Sequence, residues 1–204
     1  MAKIKNLMFD LGGVLLNIDY NKTSEAFKNL GVSHFDELYS QTTANHLFED
    51  LETGKITEED FYKAMQVHCH AGTTTQQIAA AWNAMLLNFR ISSLEHLKNL
   101  KEKYTIYLLS NTNSIHLTAF NAILKSETGD ANLDDYFTTA YYSHKILRRK
   151  PYPATYQFVL SDAGLIAEET MFIDDSIANV EGASQAGLQA YHLLSGDKIE
   201  EVIL

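Results

Sequence analysis

The sequence predicts an α/β fold, a parallel sheet flanked by helices and interrupted by a helical insertion, on three observations. Short apolar runs bounded by polar turns recur along the chain, as in buried parallel strands. Helical periods alternate with the later runs. The stretch from about residue 17 to 89 carries helical periods and no convincing strand. A length of 204 residues suits a medium domain with a smaller insert, so residues 1–16 and 90–204 are expected to form the α/β core and 17–89 the insert.

The expected strands are Ile4 to Phe9, Thr105 to Leu109, Thr138 to Tyr142, Thr170 to Ile173 and Leu188 to Leu194. In the insert, Thr57 before Glu58, Glu59 and Asp60 is a strong helix start, after which Phe61, Met65 and Cys69 stack at four-residue spacing. Cys69 therefore reads as a small core residue. A second helical face is expected from Ile78, Trp82, Met85, Leu86 and Phe89. Ser92 to Tyr104 places Leu94, Leu97 and Leu100 together, with Ser92 and Glu95 spaced as a capping box. Ala154 to Ala163 groups Tyr156, Val159, Leu160 and Ala163 before a Gly164 stop, and Ser176 is expected to cap a last helix with Ile177, Val180, Ala183 and Ser184 inward, ended by Gly187.

Composition removes several classes of function. Asp and Glu number 26 against 16 Lys and Arg, a formal charge of −10, and no basic run exceeds Arg148-Arg149-Lys150. A grip on nucleic acid or an anionic membrane needs clustered cations, so neither partner is expected. One cysteine excludes an intramolecular disulfide or a cysteine-rich zinc site. Asp10 arrives too soon for a signal-peptide core and no apolar run suits a bilayer span, so a soluble cytoplasmic protein is expected.

Polar residues cluster where the strands end. Asp10 leaves the first strand directly into Gly12-Gly13, at the edge where open α/β sheets bind ligands, although an aspartate also favours a turn there. Ile173 runs into Asp174-Asp175. Adjacent carboxylates closing a buried strand repel unless a cation compensates, and magnesium, which prefers oxygen ligands, is the economical one; the other reading is an acidic start to the next helix. Ser110-Asn111-Thr112-Asn113 follows the second strand with donors suited to phosphate oxygens or to helix capping. Lys150 stands just before a proline-marked helix start.

Four such sites in this order resemble the four motifs of the haloacid dehalogenase superfamily, represented by Asp10, Ser110, Lys150 and Asp174-Asp175, over essentially the whole chain. The insert resembles the C1-type cap of subfamily I. Phe9-Asp10-Leu11-Gly12-Gly13-Val14, Leu51-Glu52-Thr53-Gly54-Lys55-Ile56, Leu109-Ser110-Asn111-Thr112-Asn113 and Asp174-Asp175 with Asn179 and Gly182 are similar to the bacterial phosphatases of α-D-glucose 1-phosphate. The resemblance implies a Rossmann-like three-layer core and a Mg²⁺-dependent phosphatase of a small phosphorylated metabolite, such as a sugar phosphate. It implies Asp10 as the nucleophile that becomes an aspartyl-phosphate. It also implies Asp10, the Gly12 carbonyl, Asp175 and Asp174 around the metal, with Ser110, the Asn111 backbone N–H and Lys150 on the phosphoryl oxygens.

Two positions depart from the family pattern. Gly12 stands where most family phosphatases carry a second aspartate as general acid and base, a loss worth about 10² to 10⁴ in rate. Asp19 is a candidate substitute. Leu147 stands where glycine is frequent before the lysine. Gly12 keeps two alternatives open: a 2-haloacid dehalogenase using the same aspartate, which the Asp174-Asp175 pair speaks against, and a catalytically impaired phospho-ligand-binding protein. Glu49, Glu52 and Lys55 form the candidate lip of the cap.

Overall fold

The protein, as a computed structural model, is described over residues 2–39 and 46–202. Its centre is a five-stranded parallel sheet of β1 (Asn6–Phe9), β4 (Thr105–Ser110), β5 (Thr139–Tyr142), β6 (Thr170–Asp174) and β7 (Gln189–His192), in the order β5-β4-β1-β6-β7. All five expected strands form, each within three residues of its expected ends. Successive strand residues point to opposite faces and bury a separate core on each. Leu7, Phe9, Ile106 and Leu108 pack with Leu94 and Leu97 of α6 (Ile91–Leu100) and with Phe120 and Leu124 of α7 (Ser114–Thr128). Met8, Tyr107, Leu109 and Phe172 pack with Tyr156 and Val159 of α9 (Pro153–Asp162) and with Ala183 of α10 (Ile177–Gln185). The result is three layers, helices on both faces of the sheet.

Between β1 and β4 the chain leaves through β2 (Leu16–Ile18), makes α1 (Tyr20–Asn29), α2 (Phe35–Tyr39), α3 (Leu47–Glu52), α4 (Glu58–Gln66) and α5 (Thr75–Asn83), and returns through β3 (Leu86–Phe89). These helices bury a third cluster, in which Phe27, Phe35, Phe61, Met65 and Trp82 meet Ile115 of α7. The Thr57 capping box forms, its hydroxyl accepting from the Asp60 N–H at 3.1 Å while the Asp60 carboxylate accepts from the Thr57 N–H at 3.1 Å. Cys69 lies beyond α4, partly buried, with its thiol donating to the Met65 carbonyl at 3.3 Å. Among the described residues no helix is long and apolar enough to cross a membrane.

Three local expectations give way to tertiary partners. Met85, Leu86 and Phe89 do not continue the α5 face: the helix ends at Asn83, and residues 86–89 pair antiparallel with β2, with Leu16 opposite Phe89. Ser92 caps nothing, because α6 starts one residue earlier and the carboxylate of Glu200 takes the hydrogen bonds of Ser92 and Ser93. On α10 the buried residues are Gly182 and Ala183, while Ile177 and Ser184 face outward. The space at Gly182 explains the rotation: a Cβ there would lie 2.0 Å from the Pro151 carbonyl oxygen, so this helix face approaches the segment that carries Lys150.

Candidate active site

The sheet order converts four separated strand ends into one site. β1 is central, with Phe9 in register with Leu108 on one side and Ile173 on the other, and the Asp10 N–H donates to the Ile173 carbonyl at 2.9 Å. Asp10 therefore lies beside Asp174, at the carboxyl end of the sheet where the strand order reverses. Oxygens of Asp10, Asp174 and Asp175 lie within 4.8 Å of one another. Lys150 is 1% exposed, and its ammonium donates to Asp10 Oδ1 at 2.6 Å and to Asp174 Oδ2 at 2.7 Å.

The loop bearing Lys150 is held from both directions. Its N–H donates to Asn111 Oδ1 at 2.9 Å and its carbonyl accepts from Asn111 Nδ2 at 3.0 Å, so the Asn111 side chain fastens β4 to the lysine segment. The peptide bond between Lys150 and Pro151 is cis. Leu147, the residue expected to alter this loop, adopts the left-handed φ of 57°. That conformation costs a non-glycine residue about 1 kcal/mol, which accounts for the preference for glycine there.

Electrostatics define what the cluster lacks. Burial pushes the Asp10 carboxyl up to about 7; Lys150 pulls it down and the Asp174 charge adds to the rise. Asp175 is raised by burial and then by Asp174. Burial draws the Lys150 ammonium down, but Asp10 and Asp174 more than offset this and hold it above its ordinary value. One ammonium against three carboxylates leaves a deficit of positive charge, and hard carboxylate oxygens at this spacing suit a divalent cation. Asp174 is the carboxylate most occupied by protein donors. Oδ1 accepts from the Ser176 N–H at 2.8 Å, Oδ2 accepts from Lys150, and the Asn179 amide nitrogen is shared between the two oxygens at 3.1 and 3.0 Å. Asp175, the exposed member of the cluster, lies against Gly13, whose φ of 73° and missing side chain leave the room: a Cβ there would lie 2.0 Å from Asp175 Oδ2.

These residues open onto a cavity of about 420 Å³, whose wall includes Asp10, Gly12, Ser110, Asn111, Lys150 and Asp175. Of the other wall only Glu52 was named from the sequence as a site residue. That wall contains Ile18, Tyr20, Tyr39, Glu52, Met85, His116 and Arg149. Of the expected lip, Glu52 reaches the cavity; Glu49 instead pairs with Arg149 at 3.6 Å and Lys55 with Asp50 at 3.1 Å. Asp19 is not a substitute acid in this wall, because its side chain caps α1 and accepts from the Asn21 N–H at 3.0 Å. The space that a side chain at residue 12 would enter is filled by Ile18. His116, buried and stacked on Trp82 with ring centroids 4.7 Å apart, is pushed down to about 3 by burial.

Comparison with known proteins shows the family. A family model described as haloacid dehalogenase-like hydrolase covers residues 4–187. A Bacteroides thetaiotaomicron protein named D-ribitol-5-phosphate phosphatase is 30% identical over 193 residues, covering 95% of this chain and 93% of the relative. A sesquiterpene phosphatase of Aspergillus oryzae is 29% identical over 93% of this chain and 89% of its own length. The crystal structure of a Bacteroides thetaiotaomicron enzyme of the same family, in complex with magnesium and inorganic phosphate, superposes with a TM-score of 0.88 at 34% identity, covering 98% of this chain and 100% of that one.

Proposed function

The chain belongs to the haloacid dehalogenase-like hydrolase family, and from that premise we propose that it is a magnesium-dependent phosphatase of a small phosphorylated metabolite, a sugar or polyol phosphate such as D-ribitol 5-phosphate or glucose 1-phosphate. The observation that carries this reading is the buried Lys150 bridging Asp10 and Asp174 beside Asp175. The ammonium at 2.6 Å orients Asp10 and favours its ionised form against the burial that raises it, as a nucleophile requires.

In this reading Asp10 attacks phosphorus, the bond to the leaving oxygen breaks, and water then cleaves the aspartyl-phosphate. Ser110, the Asn111 backbone and Lys150 hold the phosphoryl oxygens. Asp10, Asp175 and the Gly12 carbonyl would hold the magnesium ion. Asp174, engaged by Lys150, Ser176 and Asn179, orients Lys150 beside that ion. When bound, magnesium supplies positive charge that screens carboxylate from phosphate and stabilises the transition state. The helical insert, residues 17–89, serves as a cap that lines the leaving-group side and excludes bulk water.

Dehalogenation is disfavoured by the three clustered carboxylates, which a metal-free site has little use for. The deciding experiment is phosphate release from a panel of sugar and polyol phosphates with and without magnesium, by wild type and Asp10→Asn. Multiple turnovers that need both magnesium and Asp10 are expected. Background release by wild type in magnesium overturns the proposal, and chloride release from a 2-haloacid that persists in chelator favours the dehalogenase.

A further inference from the structure

We propose that Glu52 is a specificity residue of this cavity: it accepts a hydrogen bond from a hydroxyl of an uncharged polyol leaving group and disfavours substrates that carry a second anion, a role that rests on the phosphatase reading above. A carboxylate in the wall of a phosphate-ester site opposes the phosphate itself. Its use must therefore lie at the other end of the substrate. Glu52 ends α3, lines the cavity, and has a side chain only 16% exposed.

Burial raises the Glu52 carboxyl, and the facing Arg149 draws it back only in part. The pairing is loose. Arg149 Nη2 stands 3.3 Å from Glu52, Nη1 stands 3.6 Å from Glu49, and the buried Nε has no acceptor among the described residues. Charge-assisted hydrogen bonds close to about 2.7–2.9 Å, so the carboxylate keeps acceptor capacity for a ligand. Tyr20 and Tyr39 line the same wall. Tyr20 is 54% exposed at the rim of this wall, and its phenol is raised by partial burial and then by the charges of Asp10 and Glu52. Burial and then Glu52 also raise Tyr39.

A carboxylate acceptor beside phenolic hydroxyls suits alcohol groups, which both donate and accept. Glu52 faces Arg149, so a charged group beside the pair is repelled by one member as it is attracted by the other, and a second anion set against Glu52 is opposed directly. A neutral polyhydroxy group meets neither penalty.

The test compares three phosphate monoesters in magnesium: ribitol 5-phosphate, phenyl phosphate, which lacks hydroxyls, and 6-phosphogluconate, which adds a carboxylate. Wild type should prefer ribitol 5-phosphate to 6-phosphogluconate by at least about tenfold in kcat/KM. Glu52→Gln should lower kcat/KM on ribitol 5-phosphate roughly 10- to 100-fold, mainly through KM, leave phenyl phosphate within about threefold, and narrow the penalty on 6-phosphogluconate. Glu49→Gln, which removes the other partner of Arg149, should leave the ratio of ribitol 5-phosphate to phenyl phosphate unchanged. Equal losses on all three substrates in Glu52→Gln, or none, overturn the role of Glu52 while magnesium-dependent turnover stands. A wild-type preference for 6-phosphogluconate does the same without any variant. Background release from all three by wild type overturns the phosphatase reading itself.

Discussion

Ile18 Cδ1 lies 3.1 Å from the point a Cβ would occupy at Gly12. The missing carboxyl two residues after Asp10 is thus matched by a hydrocarbon that fills its space. An aspartate there would have to move the end of a flexible side chain. Gly12→Asp combined with Ile18→Ala is expected to hydrolyse simple alkyl phosphates at least about 10²-fold faster than Ile18→Ala alone. Steady-state phosphate release measures the gain; equal rates would mean that protonation of the leaving group does not limit turnover.

Lys150 compensates two carboxylates at once, and at 1% exposure water cannot replace it. Lys150→Met keeps the length and deletes the charge. Removing one partner of a buried ion pair costs about 3–5 kcal/mol, and losing a charged donor to the transition state costs about 10²–10³ in rate. Urea unfolding and phosphate release should both report these losses. Unchanged stability would contradict the bridging role.

Cation binding should be visible without turnover. Magnesium at about 100 times its dissociation constant stabilises a native state by about 2.7 kcal/mol, a rise in Tm of roughly 5–10 °C for a chain of this size. Asp175→Asn is expected to abolish that rise. So is Gly13→Ala, whose methyl would strike the Asp175 carboxylate. A rise preserved in both variants, measured by thermal denaturation, would move the cation elsewhere.

His116 makes the fold sensitive to acid. Its folded pKa is about 3, because burial beside Trp82 disfavours the charged ring, whereas an unfolded histidine titrates near ~6.5. Between these values the unfolded chain binds more protons, so stability rises with pH and is lost as pH falls below about 6. The loss is about 1.4 kcal/mol per pH unit. The His116 ring hydrogen-bonds Asn83 Oδ1 through Nδ1 at 2.8 Å, so His116→Gln, which keeps a donor there, is expected to remove that part of the slope. Parallel urea midpoints for wild type and variant from pH 4.5 to 7.5 would contradict it.

The strands and the polar residues of the candidate site were legible because their signals are local. An apolar run ending in Asp10, in Ser110 or in Asp174-Asp175 announces both a buried strand and a polar edge within a few consecutive positions. Glycine positions were legible for the same reason: Gly164 and Gly187 follow their helices with φ of 65° and 92°. Ser92 and Asp19 show the limit. Both carry helix-start chemistry, yet Ser92 lost its capping partner to Glu200, more than a hundred residues away, while Asp19, expected near the site, took up a cap.

By itself the sequence determined the α/β class, the helical insertion and the set of residues at the strand ends, because periodicity and turn chemistry act over a few neighbours. Only the tertiary structure decided that β1 stands between β4 and β6, which brings Asp10 to Asp174 and Lys150. It alone paired Leu16–Ile18 with Leu86–Phe89, set Ile18 beside Gly12, and brought Glu52 of the insert to Arg149 of the core. Each of these contacts joins residues brought together by chain folding and hydrogen-bond register, which no local pattern encodes.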